Sequence, residues 1–316
     1  MTHTSLYAEH RRLLFSIAYR MTGSSSDAQD ILQEGYLKFQ NVALNAVNNS
    51  RAFLITLITR MCIDFLDSAY ERRRTYIGPW LPEPITESPE EDYVRMESLS
   101  TAFLLMLERL SPVERAVFLL RDVFDVDYAE IALMLEKSEE NCRQISSRAR
   151  KHVSSEAIRF ETPPQKKDQL FRAFLRAVQK GDVDSLGKLL CEDAKLISDG
   201  GGKVNAARNV VGGAAKCIRG ILGVAKTQPP DAWPVLVKGG GEPALVLLTG
   251  GRVYTILNLS YRDGQIDAVY SILNPDKLQN VKVPPLARVA SIVFSYGLIP
   301  FRTAFGLVAR ALSRAK

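Results

Sequence analysis

Residues 111–151 read SPVERAVFLLRDVFDVDYAEIALMLEKSEENCRQISSRARK, and their punctuation sets the reading of the whole chain. Ser111-Pro112-Val113-Glu114 has the pattern of a capping box with proline at the first helical position. Ser111 would accept from the amide three residues on, and Glu114 would reach back to the Ser111 amide. Val113, Val117 and Leu120 follow at helical spacing. A short helix is predicted over 128–136, a turn at Lys137-Ser138, and a second helix from Ser138 to about Lys151. That is helix-turn-helix punctuation.

In the second helix Cys142, Ile145, Ala149 and Val153 share one face and should pack on the first. Glu140, Gln144, Ser147 and Lys151 lie opposite, with Arg143 and Arg148 on the flanks. Polar side chains able to pair with base edges, beside cations placed for phosphates, suit the major groove. A solvated face in an ordinary helical bundle has the same pattern, so the stretch alone leaves both readings open.

Length and charge narrow the classes. A chain of 316 residues should hold two or three domains, and 46% apolar with 24% charged residues excludes a disordered or membrane-embedded composition. The net charge of +6 is local: residues 281–316 carry Lys282, Arg288, Arg302, Arg310, Arg314 and Lys316 and no acid, leaving 35 basic against 35 acidic residues elsewhere. A DNA argument must therefore be local too. Cys62, Cys142, Cys191 and Cys217 stand far apart without metal-ligand spacing. They read as free thiols, and the reading is a cytoplasmic protein with no bound metal or cofactor. No apolar signal region and no run of transmembrane length is present in the sequence.

Residues 4–40 read as two helices broken at Thr22-Gly23-Ser24-Ser25-Ser26. The second, DAQDILQEGYLKFQN from Asp27, has an apolar stripe (Ile31, Leu32, Tyr36, Phe39) and an acidic ridge (Asp27, Asp30, Glu34). Residues 41–50 form a loop. RAFLITLITRMCIDFLDSAYERRR, from Arg51 to Arg74, is a long helix buried by Phe53, Leu54, Leu57, Ile58, Met61, Phe65 and Leu66. Arg51, Arg60 and Arg72-Arg73-Arg74 are available for phosphates, although the last run equally suits a helix C-terminus. Residues 76–98 are an acidic, proline-rich linker containing Trp80-Leu81-Pro82-Glu83-Pro84, whose tryptophan should dock somewhere.

These three helical stretches, in this order, resemble sigma-70-type RNA polymerase factors over roughly residues 5–155. DAQDILQEGYLKF looks like the region 2 helix that grips core polymerase. The 51–74 helix is similar to the promoter-melting, −10-reading helix, and 110–151 to the −35-reading region 4. Spacing and the absence of a full region 3 match the small extracytoplasmic-function group. The resemblance implies core-polymerase contacts from Asp27, Asp30, Gln33 and Glu34. It implies −10 contacts from Asn48, Asn49, Arg51, Arg60, Arg72, Arg73 and Arg74. For the −35 element it implies Glu140, Asn141, Arg143, Gln144, Ser147, Arg148 and Lys151.

After Thr162-Pro163-Pro164 the pattern becomes α+β. Helices are predicted over 167–180 and 183–190, and strands over 194–198, 233–237, 244–249, 253–261 and 266–273. Gly239-Gly240-Gly241, Gly250-Gly251 and Asp263-Gly264 mark the turns. Helices followed by a curved antiparallel sheet look like a SnoaL-like cone. Asp199-Gly200-Gly201-Gly202-Lys203, Asn274-Pro275-Asp276-Lys277-Leu278 and the Trp80–Pro84 motif resemble sigma factors with a fused SnoaL-like domain, and the resemblance implies a regulatory role for these residues. Read alone, the glycine run suits a hairpin turn better than a phosphate cradle, since it lacks nucleotide-loop spacing.

The expected organisation is therefore multidomain: region 2 over 1–75, the linker over 76–98, region 4 over 99–160, a SnoaL-like domain over 161–280 and a basic amphipathic tail over 281–316. The two sigma domains are all-α and the third is α+β. The expected function is promoter-specific initiation with core RNA polymerase at −10 and −35 elements, controlled in cis by contact between the SnoaL-like and sigma domains. The cone has room in this reading for a small-molecule ligand. Catalysis is not expected, because residues 161–316 contain no histidine, and Asp193, Asp199, Glu242, Asp263, Asp267 and Asp276 would need strongly raised pKa values. The rivals are a SnoaL-like enzyme or ligand sensor fused to a helix-turn-helix regulator, and a one-component repressor. The acidic ridge argues against the repressor. The tail, with Phe301, Phe305, Val308 and Leu312 opposite Arg302, Arg310 and Arg314, suits packing on protein, a membrane surface or phosphates.

Overall fold

The computed structural model describes residues 2–86, 100–157 and 162–283, apart from the side chains of 69–74 and 154–157. The expectations for the tail and for the side chains of Arg72, Arg73 and Arg74 lie outside these. The described residues form two compact units, 2–76 with 100–157, and 77–86 with 162–283.

The first unit is helical, and its helices begin where side chains can satisfy free amides. Thr2 and Ser5 form a capping box that opens α1 (His3–Thr22), which stops at left-handed Gly23. Ser24 accepts from the Asp27 amide and opens α2 (Ser25–Gln40), two residues earlier than its acidic ridge suggests. Asn49 Oδ1 accepts from Ala52 N at 3.0 Å at the start of α3 (Ser50–Arg74). Leu14, Ile17, Ile31, Leu32, Phe39, Leu54 and Ile58 form the core of the three. Gly35 lets α2 close on α3: a Cβ there would sit 2.5 Å from Ile58 Cδ1.

The same unit continues with α4 (Thr101–Leu107) and α5 (Pro112–Phe118), the latter opened by the Ser111–Glu114 capping box. A π-helical turn at Leu119–Val123 leads to α6 (Tyr128–Leu135) and α7 (Glu139–Ala157). Cys142, Ile145, Ala149 and Val153 are all buried, as their spacing predicts. Arg115, 3% exposed, donates to the Met21 carbonyl of α1 and pairs with Glu108 at 2.8 Å. Burial pushes its pKa down to about 10. The Met21 bond fastens α5 to α1, and the Glu108 pair, whose carboxylate is 18% exposed, ties α5 to the end of α4.

The second unit opens with α8 (Pro164–Lys180) and α9 (Val183–Leu189), then β1 (Leu190–Asp199), β2 (Val211–Gly212) and α10 (Ala214–Lys226). It ends with β3 (Trp233–Gly239), β4 (Glu242–Thr249), β5 (Arg252–Arg262), β6 (Gln265–Ile272) and the single turn α11 (Pro275–Leu278). The strands form one sheet in the order β2-β1-β6-β5-β4-β3. The sheet is mixed rather than wholly antiparallel, because β1 runs parallel to β6. Register breaks at Leu190/Lys195, Leu247/Leu248 and Ser260/Tyr261 add twist and bend the strands. Asp263 and Gly264, both with positive φ, close the β5–β6 hairpin as the sequence predicts. Phe171, Phe174, Leu186, Cys217, Ile221, Leu236, Leu259 and Val269 form the core, each large side chain worth about 1.5–3 kcal/mol of burial. Helix α10 has no counterpart in the sequence reading, because Gly212, Gly213, Gly220 and Gly223 conceal its apolar face.

Candidate functional site

On α2, Asp30, Gln33 and Glu34 are exposed in a row and Asp27 is half-buried at its head. Glu34 pairs with Lys38 at 2.8 Å, and Leu37, 53% exposed, continues the ridge with an apolar contact. Asn48, Asn49 and Arg51 are exposed at the start of α3. Arg60 is engaged with the end of α6: its Nε donates to the Met134 carbonyl at 2.7 Å and its Nη2 lies 2.9 Å from Glu136. On α7, Glu140, Asn141, Arg143, Gln144, Ser147, Arg148 and Lys151 are all exposed, opposite the buried stripe. Arg143 is braced by Glu139 at 2.8 Å and by the Tyr128 ring. The structure thus brings the α7 set onto one face and the α2 set onto one ridge.

The three remaining motifs meet in the second unit. Asp199, at the end of β1, is fully buried; its Oδ1 accepts from Gly201 N at 3.0 Å and its Oδ2 from Leu81 N at 2.8 Å. Lys277 of α11, 8% exposed, donates to that same Oδ2 at 2.7 Å and to the Leu81 carbonyl at 2.5 Å. The Trp80 ring covers the Lys277 ammonium, 4.3 Å from centroid to Nζ. Such a ring is a favourable partner for a desolvated cation, by about 2 kcal/mol. Leu81 is fully buried, and Pro82, Glu83 and Pro84 are buried too. Further on, Gly240 N donates to the Ile85 carbonyl at 3.0 Å, and Thr86 Oγ1 bonds both the carbonyl and the amide of Lys282.

The glycine run acquires a packing reason here. Gly201 and Gly202 have positive φ; a Cβ on Gly201 would strike Asn274 at 2.3 Å, and one on Gly202 would strike Ile77 at 2.9 Å. Asn274 in turn caps α11 through Asp276 N, and Lys203 pairs with Asp276. The run is a turn that seats the linker. What the sequence could not reveal is that the gripped group is the Leu81 main chain, since a backbone amide leaves no trace in residue type.

The same architecture is found in known proteins. Residues 6–72 match the sigma-70 region 2 model and residues 100–153 the sigma-70 region 4 model. Over 282 residues, 84% of this chain and 90% of the relative, it is 36% identical to the ECF RNA polymerase sigma factor SigJ of Mycobacterium tuberculosis. The chain belongs to the extracytoplasmic-function sigma factors. It is also 28% identical over 292 residues to the probable ECF sigma factor SigI of M. tuberculosis, covering 88% of this chain and 96% of that one. The crystal structure of M. tuberculosis SigJ superposes with a TM-score of 0.72 at 32% identity, covering 89% of this chain and all of that one. This sigma factor therefore carries the two helical regions of the sigma-70 family, followed by an α+β domain with one mixed sheet.

The packed core of that domain is largely apolar, made of Leu, Ile, Phe and Val side chains with Tyr261 among them. Its carboxylates have other partners. Asp199 is in the linker clamp and Asp276 pairs with Lys203. Glu242 lies 2.6 Å from Lys167, its pKa raised by burial against the pull of the lysine. Asp193 and Asp267 both face Arg262, whose hydrogen bond to Asp193 holds that carboxyl below its ordinary range. Asp193 and Asp267 also approach Cys191, but the Arg262 guanidinium already supplies the positive charge there. No helix among the described residues is long and apolar enough to cross a membrane.

Proposed function

We propose that this sigma factor directs core RNA polymerase to its promoters under control, in cis, of its SnoaL-like domain, and that the linker is what the domain reads. The α2 ridge of Asp27, Asp30, Gln33 and Glu34 binds polymerase. Asn48, Asn49 and Arg51 at the start of α3, Arg60 in its middle and the run Arg72–Arg74 at its end serve the −10 element. Glu140, Asn141, Arg143, Gln144, Ser147, Arg148 and Lys151 serve the −35 element.

The observation that carries cis control is the double grip on Leu81 by Asp199 and Lys277. When the two sigma regions part from the packing described above, a linker left unattached would let them sample many separations. Anchored at Leu81 and Thr86, it has ten fewer free residues, 77–86, with which to do so. A protein whose competent arrangement is only partly populated binds more weakly in proportion. The anchored linker thereby sets the activity of the promoter module.

Run-off transcription with purified core polymerase tests both layers. Full-length chain should initiate, and Lys277→Met, which leaves Asp199 buried without its counter-ion, should change the yield several-fold at matched folded concentration. Initiation that is identical in the variant removes cis control through the clamp. The absence of initiation by any form of the chain, on any promoter pool, removes the sigma-factor reading of these residues.

A further inference from the structure

The cleft that holds the linker has the construction of a peptide receptor. Its polar contacts go to main-chain atoms: Leu81 N–H to Asp199 and Leu81 C=O from Lys277. Any extended peptide offers that pair. Selectivity comes from side chains, through the fully buried Leu81 and the Trp80 ring on the Lys277 ammonium. Pro79, Pro82 and Pro84 limit the segment to extended conformations before it binds, which lowers the entropy lost on docking. Beyond them, Ile85 and Thr86 join the edge of the sheet at Gly239 and Gly240, in the manner of an added strand.

The receptor side is built without the segment it holds. Asp199 Oδ1 is fixed by Gly201 N, and its carbonyl accepts from both Leu273 N and Asn274 N. Asp199 stands 118 residues beyond Leu81 in the chain, so the segment reaches the cleft as a tethered ligand. We infer that the cleft is a peptide-binding site that accepts an extended Trp-Leu-Pro segment in trans, so that a partner protein displaying one displaces the linker and resets the factor. This deepens the cis-control reading by naming the chemistry of the competitor.

Tethering gives the native segment an effective concentration in the millimolar range, so free peptide competes poorly with an intact linker. The test therefore uses full-length chain with its own segment disabled, Trp80→Ala with Leu81→Pro, the second change deleting the gripped N–H. The probe is a fluorescent peptide of residues 77–86, IGPWLPEPIT, followed by anisotropy. The disabled chain should bind it one to one, at least tenfold more tightly than wild type does. Adding Lys277→Met, or using a peptide with the Leu81→Pro change, should weaken binding at least tenfold. Trp80→Ala alone, which keeps the double grip, should give intermediate affinity and serves if the double variant does not fold. No saturable binding by a folded disabled chain up to millimolar peptide overturns the inference, as does binding indifferent to Lys277→Met. Either failure leaves the transcription test of cis control standing on its own.

Discussion

Arg60 Nη2 lies 2.9 Å from Glu136 Oε1, which joins a helix of region 2 to the turn of the helix-turn-helix. Glu136 reaches it from a left-handed backbone position, φ 53°, where glycine is the unstrained residue. Both side chains are substantially exposed, 44% and 77%, so the pair contributes at most about 1 kcal/mol. The strained backbone costs about 1–2 kcal/mol. Glu136→Gly should therefore melt at the same temperature as wild type or a few degrees higher, whereas Glu136→Ala should melt lower. If Arg60 is held from the promoter by this pair, Glu136→Gly should also raise promoter affinity of the holoenzyme, by no more than about fivefold. Arg60→Ala should lower it at all sequences alike. A Glu136→Gly chain that melts well below wild type contradicts the strain argument.

The α2 ridge is exposed and needs no rearrangement to meet a basic surface. Charge reversal at Asp30 and Glu34 should abolish core-polymerase binding with an unchanged circular dichroism spectrum. Glu34 also pairs with Lys38 on the helix surface, a contact worth about 0.3–0.5 kcal/mol, too little to unfold α2 when lost. Leu37→Ser should weaken the same complex less than the reversal. Normal core affinity in the doubly reversed chain would refute the assignment of this ridge.

The exposed face of α7 makes a separable claim about bases and phosphates. Replacing Glu140 and Gln144 by alanine should cost about 1–3 kcal/mol at particular −35 positions and relax the preference there. Arg148→Ala should weaken all promoters uniformly and reduce the salt dependence, as a phosphate contact does. Systematic selection of −35 sequences by the paired Glu140 and Gln144 variant decides it: a preference identical to wild type would reject base readout by this face.

The helical half was legible because its signals are local. The Ser111–Glu114 capping box lies where its four residues predict, and the Cys142, Ile145, Ala149, Val153 stripe is buried throughout. The β5–β6 turn followed from Asp263-Gly264 for the same reason. Non-local features escaped. The parallel pairing of β1 with β6 joins residues about 75 apart, and nothing in either strand encodes its partner. Trp80 announced that it would dock, but Lys277 as its partner and the Leu81 backbone as the gripped group belong to the folded state alone. Glu136 was visible only as the residue before Lys137-Ser138; its left-handed backbone could have been suspected, since that position ends a helix at a tight turn.

Truncation from the C-terminus tests how the clamp and the tail divide control. The second unit's described structure runs to Val283, and Thr86 is tied to both the carbonyl and the amide of Lys282, at 2.7 and 2.8 Å. Each such bond contributes about 0.5–1.5 kcal/mol, so a chain ending at Leu278 loses one of its two linker anchors together with the buried Val281. A chain ending at Val283 keeps both anchors and removes only 284–316, which carries Arg288, Arg302, Arg310, Arg314 and Lys316 without an acid. The 284–316 sequence is basic and the α2 and linker sequences are acidic, so attraction between these opposite charges would hold the promoter module back and removal of the tail should raise the yield. Run-off transcription should therefore be highest from the chain ending at Val283, lower from full length, and different again from one ending near Glu161, which has no clamp. The Leu278 chain should fall below the Val283 chain by the loss of the Thr86 anchor. Equal yields from all of these at matched folded concentration would mean that the C-terminal half exerts no intramolecular control, whatever its cleft binds.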